Sequence, residues 1–197
     1  MNSAEVEFWD GRYRAGWMPW DFRGVPRDLV GWLERSSRPG RVLIPGCGSG
    51  YEVRAFAEQG WDVLAVDFSP SAVRRARAEL GVLGQRVLLA DFFHGDFGGH
   101  KFDVVYERTF LCALASDRWP EYAWRVAKSL GEGGKLLGFF FYGEENEPPP
   151  YPLTEGVAQS LFGREFTRVV DEAATDSLAL YAGRERWQVW EKRLAAV

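Results

Sequence analysis

The chain has 197 residues, a formal net charge of −4 and a sequence pI near 5.4. That length suits one domain with a substantial core, and the acidic balance excludes a general basic footprint for nucleic acid or an anionic membrane. Two cysteines, Cys47 and Cys112, are too few for a disulfide scaffold, and no Cys/His spacing resembles a zinc site, so no metal is expected. A reduced, cytoplasmic setting is expected: the N-terminus "MNSAEVEFWDGR" lacks an apolar signal core, and the apolar run 136–142 is too short to span a bilayer.

Aromatic residues crowd the start, with Phe8, Trp9, Tyr13, Trp17 and Trp20 inside the first twenty positions. "VPRDLVGWLERSS" follows and reads as a helix, with Pro26 in the first turn and Leu29 and Leu33 on one face. "RVLIP" reads as a buried strand that ends at a glycine turn, and a helix is expected from about Gly50. "WDVLAVDF" is the second strand, and "SPSAVRRARAEL" opens a helix with a Ser–Pro start. "RVLLADFF" and "KFDVVYE" read as strands three and four, 117–130 as a helix and "GKLLGFFFY" as strand five. The Pro-rich stretch 143–152 reads as a loop, either a substrate loop or a plain surface connection. "EFTRVVDE" and "ERWQVWEKR" are strand-like and suggest an antiparallel hairpin closing one sheet edge. Alternating strands and helices imply a doubly wound α/β fold: a mostly parallel, seven-stranded sheet with an antiparallel edge strand.

The turn "IPGCGSGYE" carries Gly46, Gly48 and Gly50 on alternate positions. A glycine-rich strand-to-helix turn lets backbone approach a ligand closely and points helix N–H groups at it. The dinucleotide fingerprint G-x-G-x-x-G fails here because its third position is Tyr51, and no P-loop pattern is present. Asp67 closes the second strand, where a carboxylate can accept both ribose hydroxyls. Asp91 closes the third, followed by Phe92 and Phe93, where an acid can take an adenine amino group and a ring can pack on the base. Glycine turn, ribose acid, then adenine acid with an aromatic is the order of a class I methyltransferase. S-adenosyl-L-methionine is therefore the expected cofactor. Aromatic faces attract its sulfonium cation, which gives the N-terminal cluster a purpose as a cofactor lid; the alternative is a hydrophobic staple of an N-terminal helix.

The chain resembles the thiopurine S-methyltransferase superfamily, including the plant halide and thiol methyltransferases, over nearly its whole length. The resemblance rests on "FWDGRYRAGWMPWDFRG", "LIPGCGSGYEV", "VDFSPSAV", "ADFF", "FDVVYERTFLCAL", "SDRWPEYA" and "EPPPYP". It implies one domain over 1–197, with 1–24 folded over the cofactor and Trp9, Tyr13 and Trp20 helping to enclose it. Gly46, Asp67, Asp91 and Phe92 match family cofactor positions. Arg108 matches an arginine of the thiopurine branch, where the plant branch has tyrosine, and Glu107 replaces the family aspartate. The Pro-rich loop matches a segment near the substrate pocket, with Glu147 in place of its leading glycine.

Methyl transfer from a sulfonium is an in-line displacement that mainly needs positioning and exclusion of water. A few per cent of a thiol is already thiolate at neutral pH, so soft nucleophiles require no general base. His94 and His100 read as exposed loop residues, Cys112 as packing and Cys47 as a small turn residue. Arg108 could hold a thiolate or other anion near the cofactor, or pair with an acid such as Asp21; Glu107 could reach the methionine amino group or simply end its strand. The expected acceptor is a thiol, a thiopurine-like compound, a halide or a chalcogen anion, with no nucleic-acid or membrane partner and a monomer or weak homodimer. Two alternatives stand beside it: O- or N-methylation of an aromatic metabolite, and a non-catalytic relative that keeps the cofactor. An NAD(P) oxidoreductase lacks both its third glycine and a Tyr-x-x-x-Lys pair.

Overall fold

A computed structural model describes residues 3–99, 101–144, 148–181 and 183–194. His100 and Glu147 lie outside the described residues. The chain divides into two compact units, 1–98 and 99–197.

The first unit opens with α1 (Ser3–Ala15). Arg12 and Arg14 sit in its last turn, where positive charge suits the helix dipole. Gly16, at φ 68°, ends it: Gly16 N–H donates to Tyr13 O and Trp17 N–H to Arg12 O, the paired bonds of a Schellman stop. Pro26 stands just ahead of α2 (Arg27–Arg35), in the extended cap position, and Leu29 and Leu33 are buried as expected. β1 (Arg41–Pro45) leads through the glycine turn into α3 (Tyr51–Glu58), then come β2 (Asp62–Asp67), α4 (Pro70–Leu80) and β3 (Val87–Leu89). The three strands pair in parallel in the order β3-β2-β1. β3 is shorter than the expected run through Phe93. Its last backbone bond is Ala90 N–H to Asp67 O, and the Asp91 side chain then accepts from Phe93 N–H and turns the chain out of the sheet.

In the second unit β4 (Phe102–Arg108) pairs in parallel with β5 (Leu130–Phe141). α5 (Trp119–Ser129) connects them, preceded by a 3-10 turn at 116–118, so the expected 117–130 helix ends at Ser129 and Leu130 already belongs to β5. β5 begins four residues before the expected Gly134, because the run "GEGG" is taken up as an irregularity between the pairs Phe102–Leu130 and Val104–Lys135. At Gly138 a Cβ would collide with the Glu107 backbone, so only glycine lets β4 and β5 approach there. α6 (Glu155–Phe162) is a helix the sequence reading did not foresee; Thr154 caps it by accepting from Val157 N–H at 3.3 Å. β6 (Phe166–Ala173) and β7 (Glu185–Lys192) form the expected antiparallel hairpin, in the order β4-β5-β7-β6. Among the described residues seven strands, with β7 reversed, give the doubly wound, mixed α/β class. Among the described residues no helix is long and apolar enough to cross a membrane.

Candidate cofactor site

The glycine turn is built as its composition requires. Gly46, Gly48 and Gly50 have φ of 59°, 52° and 77°, the left-handed region that side-chain-bearing residues rarely occupy. Gly50 is the cap of α3, so the turn delivers the first N–H groups of that helix to its open end. Asp67, 8 % exposed at the end of β2, closes the turn from the other side. One of its oxygens accepts from Gly48 N–H at 3.0 Å and the other from Ser69 N–H at 2.8 Å. Burial pushes its carboxyl up to about 6, against the opposing pull of these backbone bonds. Each oxygen keeps a further lone pair, so the carboxylate can still accept a hydroxyl.

The N-terminal aromatics form one cluster centred on Trp20. Its ring lies edge-on to Trp9 at 5.2 Å, Tyr13 at 5.9 Å and Trp17 at 6.2 Å, and its Nε1–H donates to Tyr13 Oη at 3.4 Å. Tyr13 stands directly over the turn: a Cβ added at Gly48 would come within 2.8 Å of its hydroxyl oxygen. Burial pushes the Tyr13 phenol well above its usual range, so it stays a neutral hydrogen-bonding group. These three predicted residues, the glycine turn and Asp67 are brought together within the first unit. A left-handed glycine turn with Gly48 under the Tyr13 hydroxyl, an acid at the next strand end and the indole rings packed around Trp20 fit S-adenosylmethionine, while Gly50 is needed for the close approach of Ala76 and Leu80 on α4.

Asp91 and Phe92 occupy the next loop. Asp91 accepts from Phe93 N–H at 2.9 Å and meets His94 Nδ1 at 2.7 Å, with His94 itself exposed as expected. The Phe92 ring is 2 % exposed, packed against Phe93 at 5.3 Å and stacked near Phe97 at 6.5 Å.

Two carboxylates that the sequence reading left without a role at this site anchor the N-terminal segment. Asp10, 7 % exposed on α1, accepts from Ser69 Oγ at 2.6 Å and Ser71 N–H at 2.8 Å through the same oxygen. Asp21 accepts from Ser49 Oγ at 2.9 Å, and Arg75 approaches it at 3.6 Å. An acid next to a predicted lid tryptophan, matched by a serine at the cap of α4, is the signal that could have found the first of these.

Arg108 ends β4 in the second unit. Its guanidinium stacks over the Phe139 ring at 4.1 Å, and Nη2 donates to Asp176 O at 3.4 Å. Neighbouring Glu107 is 1 % exposed and does more than end a strand. One oxygen accepts from Phe110 and Leu111 N–H at 2.8 and 2.9 Å, the other from Tyr122 Oη at 2.6 Å. Burial pushes its carboxyl up to about 7. The turn it holds contains Thr109 at φ 61°, a strained position that needs such support. Glu107 also lines a small cavity with Leu111, Cys112, Phe139, Tyr151 and Leu153. Tyr151 N–H donates to Cys112 O at 2.7 Å and Leu153 N–H to Phe141 O at 2.8 Å, so the far end of the Pro-rich loop is fastened to this unit. Cys112 is buried, its thiol pushed up to about 12, consistent with packing, and Cys47 is buried in the glycine turn.

The family model for thiopurine S-methyltransferase matches residues 4–193. A probable thiol methyltransferase 2 of Arabidopsis thaliana is 32 % identical over 202 residues, covering 98 % of this chain and 88 % of its own. A thiopurine S-methyltransferase of Vibrio cholerae is 30 % identical over 191 residues, covering 87 % and 88 %. A solved 1,6-didemethyltoxoflavin-N1-methyltransferase of Burkholderia thailandensis, with S-adenosylhomocysteine bound, shares the fold at TM-score 0.73 and 21 % identity, covering 96 % of this chain and 87 % of that one. The chain belongs to the thiopurine S-methyltransferase family and is a class I methyltransferase with S-adenosylmethionine as its methyl donor.

Proposed function

We propose that the protein transfers a methyl group to a small soft nucleophile, a sulfur acceptor before a halide or other chalcogen anion. The observation that carries this is the kinship with enzymes whose named acceptors all contain sulfur: the thiol enzyme of Arabidopsis, the thiopurine enzyme of Vibrio cholerae and a thiocyanate methyltransferase of Brassica oleracea, 27 % identical over 198 residues. The donor supplies an electrophilic methyl on a sulfonium. Asp67 takes the ribose hydroxyls, Asp91 the adenine amino group, and Phe92 helps shape the adenine side. The backbone at Gly46, Gly48 and Gly50 lets the amino-acid portion lie close. Trp9, Tyr13 and Trp20 screen the sulfonium from water, with about 0.5–2 kcal/mol of attraction per well-placed ring. Arg108 holds the acceptor's anionic form in line, which raises the fraction poised for attack. The family match over 4–193 supports treating the whole chain as one methyltransferase domain, working in the cytoplasm on small molecules as a monomer or weak dimer.

The test is transfer of labelled methyl from S-adenosylmethionine to thiophenol, a thiopurine, hydrosulfide, iodide, and phenolic and amine acceptors. Transfer to the sulfur acceptors is expected, and Arg108→Ala should lower kcat/KM for them about ten- to a hundredfold. Transfer confined to oxygen or nitrogen would overturn the soft-nucleophile reading. Cofactor binding with no transfer to any of these acceptors would also overturn it, in favour of a non-catalytic relative.

A further inference from the structure

We infer that Asp10 is a positioning residue for the methyl donor, a latch that fastens the aromatic lid on α1 to the motif that carries the ribose acid. The inference rests on the donor site assigned above and concerns how that site is held. α1 is short of apolar residues: besides its aromatics it offers only alanines and Val6, so burial alone gives it little hold. What fixes it is the Asp10 carboxylate, which accepts two hydrogen bonds from the start of α4.

Both donors sit next to the cofactor acid. Ser69 gives its Oγ–H to Asp10 and its backbone N–H to Asp67, while its Oγ also accepts from Ala72 N–H as the cap of α4. Ser71 contributes the second bond from the first turn of α4, where N–H groups have no helical partner and favour an anion. The second oxygen of Asp10 lies 3.7 Å from Arg14, an exposed side chain that adds little. A continuous run of bonds therefore joins α1 through Ser69 to Asp67 and on to Gly48, beneath the Tyr13 hydroxyl. Charge-assisted bonds in a buried setting are the strong ones, and here they are spent on a lid that carries Trp9 and Tyr13, one residue before Asp10 and three after it.

Such a latch acts on the fraction of molecules in which the lid is closed, and apparent donor affinity falls in proportion to that fraction. The experiment is calorimetric titration of S-adenosylhomocysteine into the full chain, with steady-state kinetics alongside. Asp10→Ala should weaken S-adenosylhomocysteine at least tenfold and raise KM for S-adenosylmethionine similarly, while KM for the acceptor moves less than threefold. Asp10→Asn keeps an oxygen that can accept both bonds and should lose less than fivefold. Amides of residues 5–15 should exchange at least tenfold faster in Asp10→Ala without ligand, with the gap narrowing at saturating S-adenosylhomocysteine. Should Asp10→Ala not fold, Ser69→Ala removes one of the two donors and should still weaken the ligand at least threefold.

An Asp10→Ala protein that binds S-adenosylhomocysteine as tightly as wild type, or that melts earlier with its affinity intact, overturns the latch. Unchanged affinity in a folded Ser69→Ala would do the same. Failure of the wild-type protein to bind S-adenosylhomocysteine would instead strike at the donor site itself.

Discussion

Asp67 and Glu107 are two buried carboxylates, one in each unit, each at the carboxyl end of a strand and each with its carboxyl raised by burial, to about 6 and about 7. They differ in what holds them. Asp67 accepts from the backbone N–H groups of Gly48 and Ser69, with that of Phe68 close by, and no side-chain donor meets it among the described residues. Glu107 is gripped by two backbone N–H groups and a phenol from α5, all of this unit's own making. Under the proposed function, the same residue chemistry at the same kind of position serves binding in one case and turn support in the other. Spare acceptor capacity separates them better than burial or charge does.

That distinction can be broken most directly at Asp67. If its free lone pairs take ribose hydroxyls, Asp67→Ala removes two charge-assisted bonds, each about 1.5–3 kcal/mol, and should weaken S-adenosylhomocysteine about a thousandfold by calorimetry. A loss of only a few-fold would mean that Asp67 merely braces the glycine turn, as Glu107 braces its own.

Glu107→Ala should show the opposite signature. It leaves two buried N–H groups and the Tyr122 hydroxyl without their acceptor, and the cost expected is about 3 kcal/mol of stability, read from urea unfolding. S-adenosylhomocysteine affinity of the folded protein should shift less than threefold. If affinity collapsed while stability held, Glu107 would belong with Asp67 after all.

The two carboxylates also mark where the sequence was readable and where it was not. Gly46 to Gly50 and Asp67 are local motifs: spacing from a strand end places them, and the fold puts them where spacing says, whereas Asp91 falls in the loop two residues beyond the end of β3. The role of Asp10 depends on partners 59 and 61 residues away, and that of Glu107 on Tyr122, 15 residues away, in addition to the local Phe110 and Leu111 N–H groups. Nothing in a window around either residue names the distant partners. A clue did exist for Glu107, since Tyr122 falls on the apolar face of its helix, and a buried phenol hydroxyl needs an acceptor. Element ends failed for similar reasons. β3 stops early because the Asp91 side chain competes for a backbone N–H, and β5 starts early because a glycine-rich run can bulge within a strand. α6 has only eight residues, too few to show a period, and its one legible mark was the cap at Thr154.

The finest separation is in pH. A carboxyl whose folded value exceeds its unfolded one leaves the native state holding more protons than the unfolded chain, so stability falls as pH rises between the two values. For Glu107 the window runs from about 4.5, the ordinary glutamate value, to about 7, and the stability lost in crossing it is complete somewhat above 7. Replacing it with glutamine removes that titration. Wild-type stability should therefore drop by about 1 kcal/mol more than that of Glu107→Gln between pH 6 and 8, as read from urea midpoints at fixed ionic strength. Asp67 titrates lower, at about 6, and under the proposed binding mode ribose hydroxyls that donate to its charged form pull the value down further. S-adenosylhomocysteine binding should then strengthen as pH rises through 6 and level off above 7, and Glu107→Gln should follow the same curve. A binding profile that instead tracked Glu107, rising through 7 in wild type and flat in Glu107→Gln, would move the ligand-facing role to the second unit.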